Sequence, residues 1–100
     1  MAKRLVKVTI TYCSECGYEP QTLALVEALM KTFRHELAEI AVVPWYDGSF
    51  EVSVDGELVH SMYRDDGFPE HSVIIDAVRR HQAQAAAQSA EAPSATRQDG

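Results

Sequence analysis

The sequence predicts an α/β fold of two layers, in which two helices pack against a mixed sheet of four strands. Two observations support this fold class. Two short stretches alternate apolar with polar residues, as strands do, two more lie next to turn signals, and two longer stretches carry apolar residues at helical spacing. The order is strand, helix, strand, strand, strand, helix. Because a strand, a helix and a strand in succession usually form a parallel pair, we expect the first two strands to be parallel and the last two to form an antiparallel hairpin.

The first strand and the first helix are predicted from their apolar patterns. Leu5 to Tyr12 alternates, with Val6, Val8 and Ile10 on one side. The helix runs from Pro20 to about His35, and proline suits a first helical turn because its missing N–H has no partner to lose there. The residues expected to face the core are Leu23, Val26, Met30, Phe33 and Leu37, with Leu25 and Leu29 beside them.

A tight hairpin is predicted in the second half of the chain. Asp55-Gly56 is typical of a two-residue type I′ turn, because both central residues of that turn need positive φ. With this turn, Val52 faces Val59 across the hairpin. The elements of this half are predicted at Ile40 to Trp45, Phe50 to Val54, Leu58 to Tyr63 and, for the second helix, Pro69 to about Gln84.

The chain is expected to form one folded domain followed by a tail. Its length of 100 residues suits a single domain, and no large apolar residue follows Val78. We therefore predict a domain over residues 1–84. Residues 85–100 are predicted to be an Ala- and Gln-rich helix end and then, from Ser89, a disordered tail, because this segment has little to bury.

Charge and hydropathy argue against several functions. The formal net charge of −6 disfavours nucleic acid as a partner, because an acidic surface repels phosphates. No apolar run approaches the ~20 residues that span a bilayer, and the first residues lack the apolar core of a signal peptide. We expect a cytoplasmic protein that binds neither nucleic acid nor membranes. In that compartment thiols are kept reduced.

Two cysteines, Cys13 and Cys16, stand in the turn between the first strand and the first helix. This placement is the sequence form of a thioredoxin-like redox site. Two thiols at this spacing can close a small disulfide, and the positive end of the following helix lowers the pKa of a nearby thiol. One thiol then attacks a partner's sulfur, and the other resolves the mixed disulfide.

Two other interpretations of the cysteines stay open. They are either inert core residues or two ligands of a zinc ion. A closed zinc site needs four nitrogen or sulfur ligands, and the four histidines show no paired ligand spacing. We therefore expect no metal, and we expect the histidines to lie at the surface.

A substrate pocket is expected to form from the cysteine turn and the loop before the third strand. Ser14 and Glu15 lie between the cysteines, where the charge of Glu15 opposes a second anion. The third strand should run antiparallel to the first, which brings Gly48, Ser49 and Phe50 beside the thiols. Gly48 is expected to let the backbone approach them closely.

A different class of function, a non-catalytic protein-interaction module, stays open as an alternative. It is suggested by four aromatic residues on loops and strand ends, namely Trp45, Tyr46, Phe50 and Phe68. This alternative requires that they form an exposed apolar patch near the cysteines, of the kind that binds partners.

The motifs, taken together, resemble one known family. They are Tyr12-Cys13-x-x-Cys16-Gly17-Tyr18-x-Pro20, then Gly48-x-Phe50-Glu51-Val52-x-Val54-x-Gly56-x-Leu58-Val59-His60-Ser61, then Asp66-Gly67-Phe68-Pro69. In spacing and order, over about Leu5 to His81, they resemble the selenoprotein W-like (Rdx) family. The chain looks like a cysteine-containing member of bacterial type.

The resemblance implies a thioredoxin-like fold and a thiol-disulfide redox role. It implies glutathione or a thiol-bearing protein as the partner, and no bound cofactor. Some members carry selenocysteine at the position that matches Cys16, which favours Cys16 as the attacking thiol and Cys13 as the resolving one. The analogy with thioredoxin favours the opposite order, so both orders stay open.

Overall fold

The computed structural model describes residues 5–91 as two helices packed on one face of a four-stranded sheet. The strand order is β2–β1–β3–β4, with β1 parallel to β2 and antiparallel to β3, and β3 antiparallel to β4. The predicted fold class and pairing are therefore confirmed. The strands are β1 (Val6–Cys13), β2 (Leu37–Trp45), β3 (Phe50–Val54) and β4 (Glu57–Ser61).

Three α-helices are present among the described residues, one more than predicted. They are α1 (Glu19–Phe33), α2 (Met62–Asp65) and α3 (His71–Glu91), and a 3₁₀ turn (Arg34–Glu36) joins α1 to β2. None of them is long and apolar enough to cross a membrane within residues 5–91. Strand β2 begins at Leu37, directly after the 3₁₀ turn, so the predicted start at Ile40 is three residues too late.

Helix α2 occupies the end of the predicted fourth strand, so the prediction that Tyr63 is in a strand is wrong. The cause is a reciprocal cap. Ser61 Oγ accepts a hydrogen bond from the Arg64 N–H at 3.4 Å, and Asp65 Oδ2 accepts one from the Ser61 N–H at 3.1 Å. Such a cap satisfies helix-end amides and favours a helical turn over further strand.

The core lies between the sheet and helices α1 and α3, and the buried face of α1 is the predicted one only in part. Leu23 and Met30 are 63% and 57% exposed, whereas Leu25, Leu29 and Phe33 are buried. Thr22 completes the buried stripe, because its hydroxyl donates to the Tyr18 carbonyl at 2.9 Å and needs no water. The other core residues are Val6, Val8, Ile10, Phe50, Val52, Val54, Ile74, Val78 and Ala85.

The hairpin turn is as predicted, but the register beyond it is not. Asp55 and Gly56 have φ of 52° and 85°, as a type I′ turn requires. A bulge between Val52 and Ser53 then pairs Val52 with His60 rather than Val59. A bulge inserts one unpaired residue and shifts which side chains face the core. His60 is consequently buried, against the prediction that the histidines lie at the surface.

Helix α3 begins later and ends later than predicted. It starts at His71, after Pro69, and runs past Gln84 to Glu91. Ala85 is buried in the core, so this stretch has an apolar contact that the composition did not indicate. A disordered tail from Ser89 is therefore wrong as far as Glu91. The rest of that tail, 92–100, lies outside the described residues, and the domain division at residue 84 stays a prediction.

Candidate functional site

The two cysteines are joined in a disulfide between the end of the central strand and the start of α1. Cys13 is the last residue of β1, and Cys16 lies in the turn that follows. Their Cα atoms are 5.4 Å apart, within the range that disulfides normally span. The Cys16 N–H points back to the Cys13 carbonyl at 3.4 Å, so the turn itself brings the residues together. The predicted cysteine pair is therefore assembled as a local, closed unit.

The two sulfur-bearing residues differ sharply in exposure. Cys13 has none of its surface exposed to solvent, whereas Cys16 is exposed. Cys13 belongs to the central strand of the sheet, whereas Cys16 lies in the turn outside it. An external molecule reaches this disulfide from the side of Cys16.

Ser49 and Phe50 lie beside Cys13, as the predicted antiparallel pairing of β1 and β3 requires. The Cys13 N–H donates to the Ser49 carbonyl at 2.8 Å, and the adjacent Tyr12 pairs with Phe50. Both Ser49 and Phe50 are buried. Ser49 Oγ has no hydrogen-bond partner among the described residues. These two residues support the disulfide from inside the fold, and their part in binding a substrate stays a prediction.

Ser14 and Glu15 are exposed in the cysteine turn, as Cys16 is. The backbone N–H and the hydroxyl of Ser14 both donate to the Trp45 carbonyl, at 3.0 and 3.1 Å. These bonds tie the turn to the end of β2. Glu15 lies at the surface next to Cys16, as expected from the sequence. Their role as substrate contacts stays a prediction.

Gly48 is needed for a different reason from the one predicted. A Cβ added there would meet only the Tyr18 hydroxyl, at an ordinary 3.8 Å, so the position is not crowded against the cysteines. Its φ is +69°, a conformation that residues with a Cβ rarely adopt. Gly48 therefore shapes the loop that carries the Ser49 carbonyl to Cys13.

An aromatic stack that the sequence analysis did not identify borders the cysteine turn. Phe68 packs edge-on against Tyr18 and Phe50, with ring centroids 4.9 and 5.0 Å apart, and Phe50 packs on His60 at 6.3 Å. His60 donates from Nε2 to the Gly67 carbonyl at 2.8 Å, which holds the segment that bears Phe68. The sequence signal that could have indicated this stack is Tyr18, an aromatic residue directly after the cysteine motif.

The four aromatic residues considered as one exposed patch separate into two groups. Phe50 is buried and belongs to the stack with Phe68. Trp45 and Tyr46 are 55% and 53% exposed, with ring centroids 5.2 Å apart. Trp45 and Tyr46 therefore form an exposed aromatic pair at the end of β2, separate from the stack of Phe50 with Phe68.

The loop beside this pair carries negative charge. The Tyr63 hydroxyl donates to the Asp47 carbonyl at 2.6 Å. Partial burial, and next the charges of Asp47 and Glu51, raise the pKa of Tyr63. On α2, the hydrogen bond from Arg64 and the one from the Ser61 N–H lower the pKa of Asp65 to about 2.

In residues 5–91 no group of three or more His, Cys, Asp or Glu side chains is arranged to hold a metal ion.

Comparisons with known proteins agree on one family. The chain is 33% identical over 75 residues to migration and invasion enhancer 1 of Bos taurus, covering 75% of this chain and 64% of that protein. It therefore spans less than two thirds of that relative. It is 41% identical over 64 residues to selenoprotein W of Danio rerio, covering 63% of this chain and 74% of that protein.

A solved structure matches the fold, and a family model matches most of the chain. The crystal structure of a selenoprotein W-related protein from Vibrio cholerae superposes with a TM-score of 0.76 at 28% identity, covering 79% of this chain and 99% of that one. The two-layer sheet and helices are thus the expected thioredoxin-like fold. The model of the Rdx family matches residues 7–80, and the chain belongs to the Rdx family.

Proposed function

We propose that the chain is a thiol-disulfide oxidoreductase in which Cys16 is the attacking thiol and Cys13 the resolving thiol. The observation that carries this proposal is the asymmetry of the disulfide, in which Cys16 is exposed and Cys13 is fully buried. A sulfur can attack, or be attacked by, an outside molecule only where that molecule can reach it. The buried sulfur is limited to exchange with its neighbour.

The cycle balances within the two cysteines and one external disulfide. The Cys16 thiolate attacks one sulfur of R–S–S–R, which forms Cys16–S–S–R and releases R–S⁻. Cys13 then attacks Cys16 Sγ, which closes the Cys13–Cys16 disulfide and releases the second R–S⁻. The dithiol is oxidised, the external disulfide is reduced, and the two thiol protons pass to the two released thiolates. The reverse sequence reduces the protein.

Local structure supports Cys16 in the thiolate form. Cys16 lies just before α1, whose first turn is not capped by any side chain. The partial positive charge at such an end stabilises a nearby anion within about one turn. Pro20, in that first turn, favours a helix start at this point.

The co-substrate that we propose is glutathione or a cysteine of a partner protein, met in the cytoplasm. No separate cofactor is required, because both electrons reside in the cysteine pair itself. The non-catalytic binding module is the second candidate, and the observation in its favour is the exposed Trp45–Tyr46 pair beside the cysteine turn.

Alkylation of the reduced protein tests the assignment of the two thiols. Limiting iodoacetamide near pH 7, followed by peptide mapping, is expected to label Cys16 at least about tenfold faster than Cys13. The reason is that reaction requires an accessible thiolate. The unfolded, reduced chain serves as control and should label both cysteines at similar rates. Faster labelling of Cys13 in the folded protein would reject the assignment.

A further inference from the structure

We propose that this site prefers partners whose sulfur is flanked by positive charge, and that it discriminates against anionic thiols such as glutathione. The inference rests on the proposed function, because it names the class of substrate that Cys16 attacks. Of the two proposed co-substrates, the cysteine of a partner protein is favoured over glutathione, provided that it stands in a cationic peptide segment.

Three acidic residues stand close to Cys16 in the chain or in the loop bonded to the cysteine turn. Glu15 is its neighbour in the turn, and Glu19 is the first residue of α1. Asp47 stands in the loop between β2 and β3, which is hydrogen-bonded to the cysteine turn. All three are exposed, so their charges act on whatever approaches the exposed sulfur.

Positive side chains are scarce at the same end of the molecule. No Lys or Arg occurs in residues 8–30 or 35–63. Arg64 is engaged by Asp65, to which its Nε and Nη2 donate at 2.9 and 2.8 Å. Lys31 pairs with Glu27 towards the far end of α1. The acidic residues at Cys16 are therefore not neutralised by any Lys or Arg of residues 5–91.

Tyr63 lies beside the same acidic loop, because its hydroxyl donates to the Asp47 carbonyl. The pKa of Tyr63 is raised first by partial burial and next by the charges of Asp47 and Glu51, with a smaller contribution from Tyr18, which follows the cysteine motif. The part of this rise that comes from Asp47 and Glu51 reflects repulsion between negative charges at that loop. An incoming anion meets the same opposition, and an incoming cation is attracted.

The helix end and the acidic side chains act with opposite sign on the Cys16 thiolate, but their effects differ in range. The positive end of α1 reaches only the first turn and stabilises the thiolate on Cys16 itself. The carboxylates lie at the surface and act over about a Debye length on the group that approaches. Oxidised glutathione carries net negative charge and is repelled, whereas a disulfide with ammonium groups near its sulfur is attracted.

The test compares three disulfides that react with the single thiol of reduced Cys13→Ser protein. Cystamine is cationic, bis(2-hydroxyethyl) disulfide is neutral and oxidised glutathione is anionic. Rates of mixed-disulfide formation are measured by mass spectrometry at about 0.01 M and about 1 M ionic strength, where the Debye length is about 30 and 3 Å. The ratio of the cystamine rate to the glutathione rate is expected to fall several-fold at high salt.

Charge variants locate the effect. Adding Glu15→Gln and Glu19→Gln is expected to lower the cystamine-to-glutathione ratio about tenfold at low salt, since each removed charge acts oppositely on the two reagents. The neutral disulfide corrects for any change in the thiolate of Cys16. The control Glu36→Gln removes one charge beyond the opposite end of α1 and should change the ratio far less than either Glu15→Gln or Glu19→Gln alone.

The outcomes separate the inference from the function on which it rests. If the cystamine-to-glutathione ratio changes neither with salt nor with the double substitution, while the neutral disulfide still reacts, the charge selectivity alone is overturned. A Cys16 that fails to react with the neutral disulfide overturns the proposed function and the selectivity together. Disulfides of matched peptides with Lys or Glu on both sides of cysteine are expected to follow the order of the small reagents.

Discussion

Replacing Cys16 with serine is expected to reduce thiol-disulfide exchange to the uncatalysed background, because the remaining thiol, Cys13, is fully buried. Replacing Cys13 with serine is expected to have a different result. That variant keeps the exposed thiol of Cys16, attacks an external disulfide and then stops, because no second thiol resolves the product. It should accumulate a mixed disulfide stoichiometrically.

The measurement is intact-protein mass spectrometry after incubation with oxidised glutathione or bis(2-hydroxyethyl) disulfide. Each serine variant is the control for the other, since both lack the internal disulfide and differ only in which sulfur remains. Circular dichroism confirms that both are folded. An adduct that forms on Cys13 in the Cys16→Ser protein, and not on Cys16 in the Cys13→Ser protein, would reverse the two roles.

Replacing Phe50 with alanine is expected to cause the largest loss of stability among single substitutions near the site. Phe50 is 1% exposed, packs edge-on against Phe68 and lies beside Cys13 through the pairing of β1 with β3. Removing a buried phenylalanine side chain costs about 3–5 kcal/mol. Because a small domain is stable by only about 5–15 kcal/mol, a substantial fraction of its free energy of unfolding is lost. Urea denaturation of the oxidised protein measures the change.

Phe68 provides the matched control for this substitution. It contributes the other ring of the same contact but is 40% exposed, so Phe68→Ala removes less buried area. We expect that variant to lose about 1–2 kcal/mol, mostly from the lost aromatic contacts with Tyr18 and Phe50. Equal losses for the two variants, or a loss below about 1 kcal/mol for Phe50→Ala, would contradict the role assigned to Phe50.

The order of the strands was predictable because it depends on local signals. Alternation identified β1 and β3, and the Asp55-Gly56 pair fixed the turn between β3 and β4. From these followed the placement of Ser49 and Phe50 beside Cys13, since an antiparallel neighbour of β1 must begin where β1 ends. The core of the site therefore follows from short-range patterns.

The errors occur where a tertiary contact overrides a local pattern. The buried face of α1 includes Thr22, which looks polar but satisfies its hydroxyl within the helix, so Leu23 and Met30 were wrongly assigned to the core face. The bulge that buries His60 has no signal in the hairpin sequence itself. The unequal exposure of Cys13 and Cys16 is a property of the folded packing, which the spacing of the two cysteines does not reveal.

The most direct test of the redox role is the reduction potential of the Cys13–Cys16 pair. The full chain is equilibrated in glutathione buffers of graded composition, quenched with acid, and its dithiol fraction quantified by alkylation and mass spectrometry. We expect one two-electron transition with a midpoint between about −220 and −320 mV, the range of cytosolic glutathione poise. Cysteines that remain reduced in the most oxidising buffer would contradict the redox role and favour the binding module.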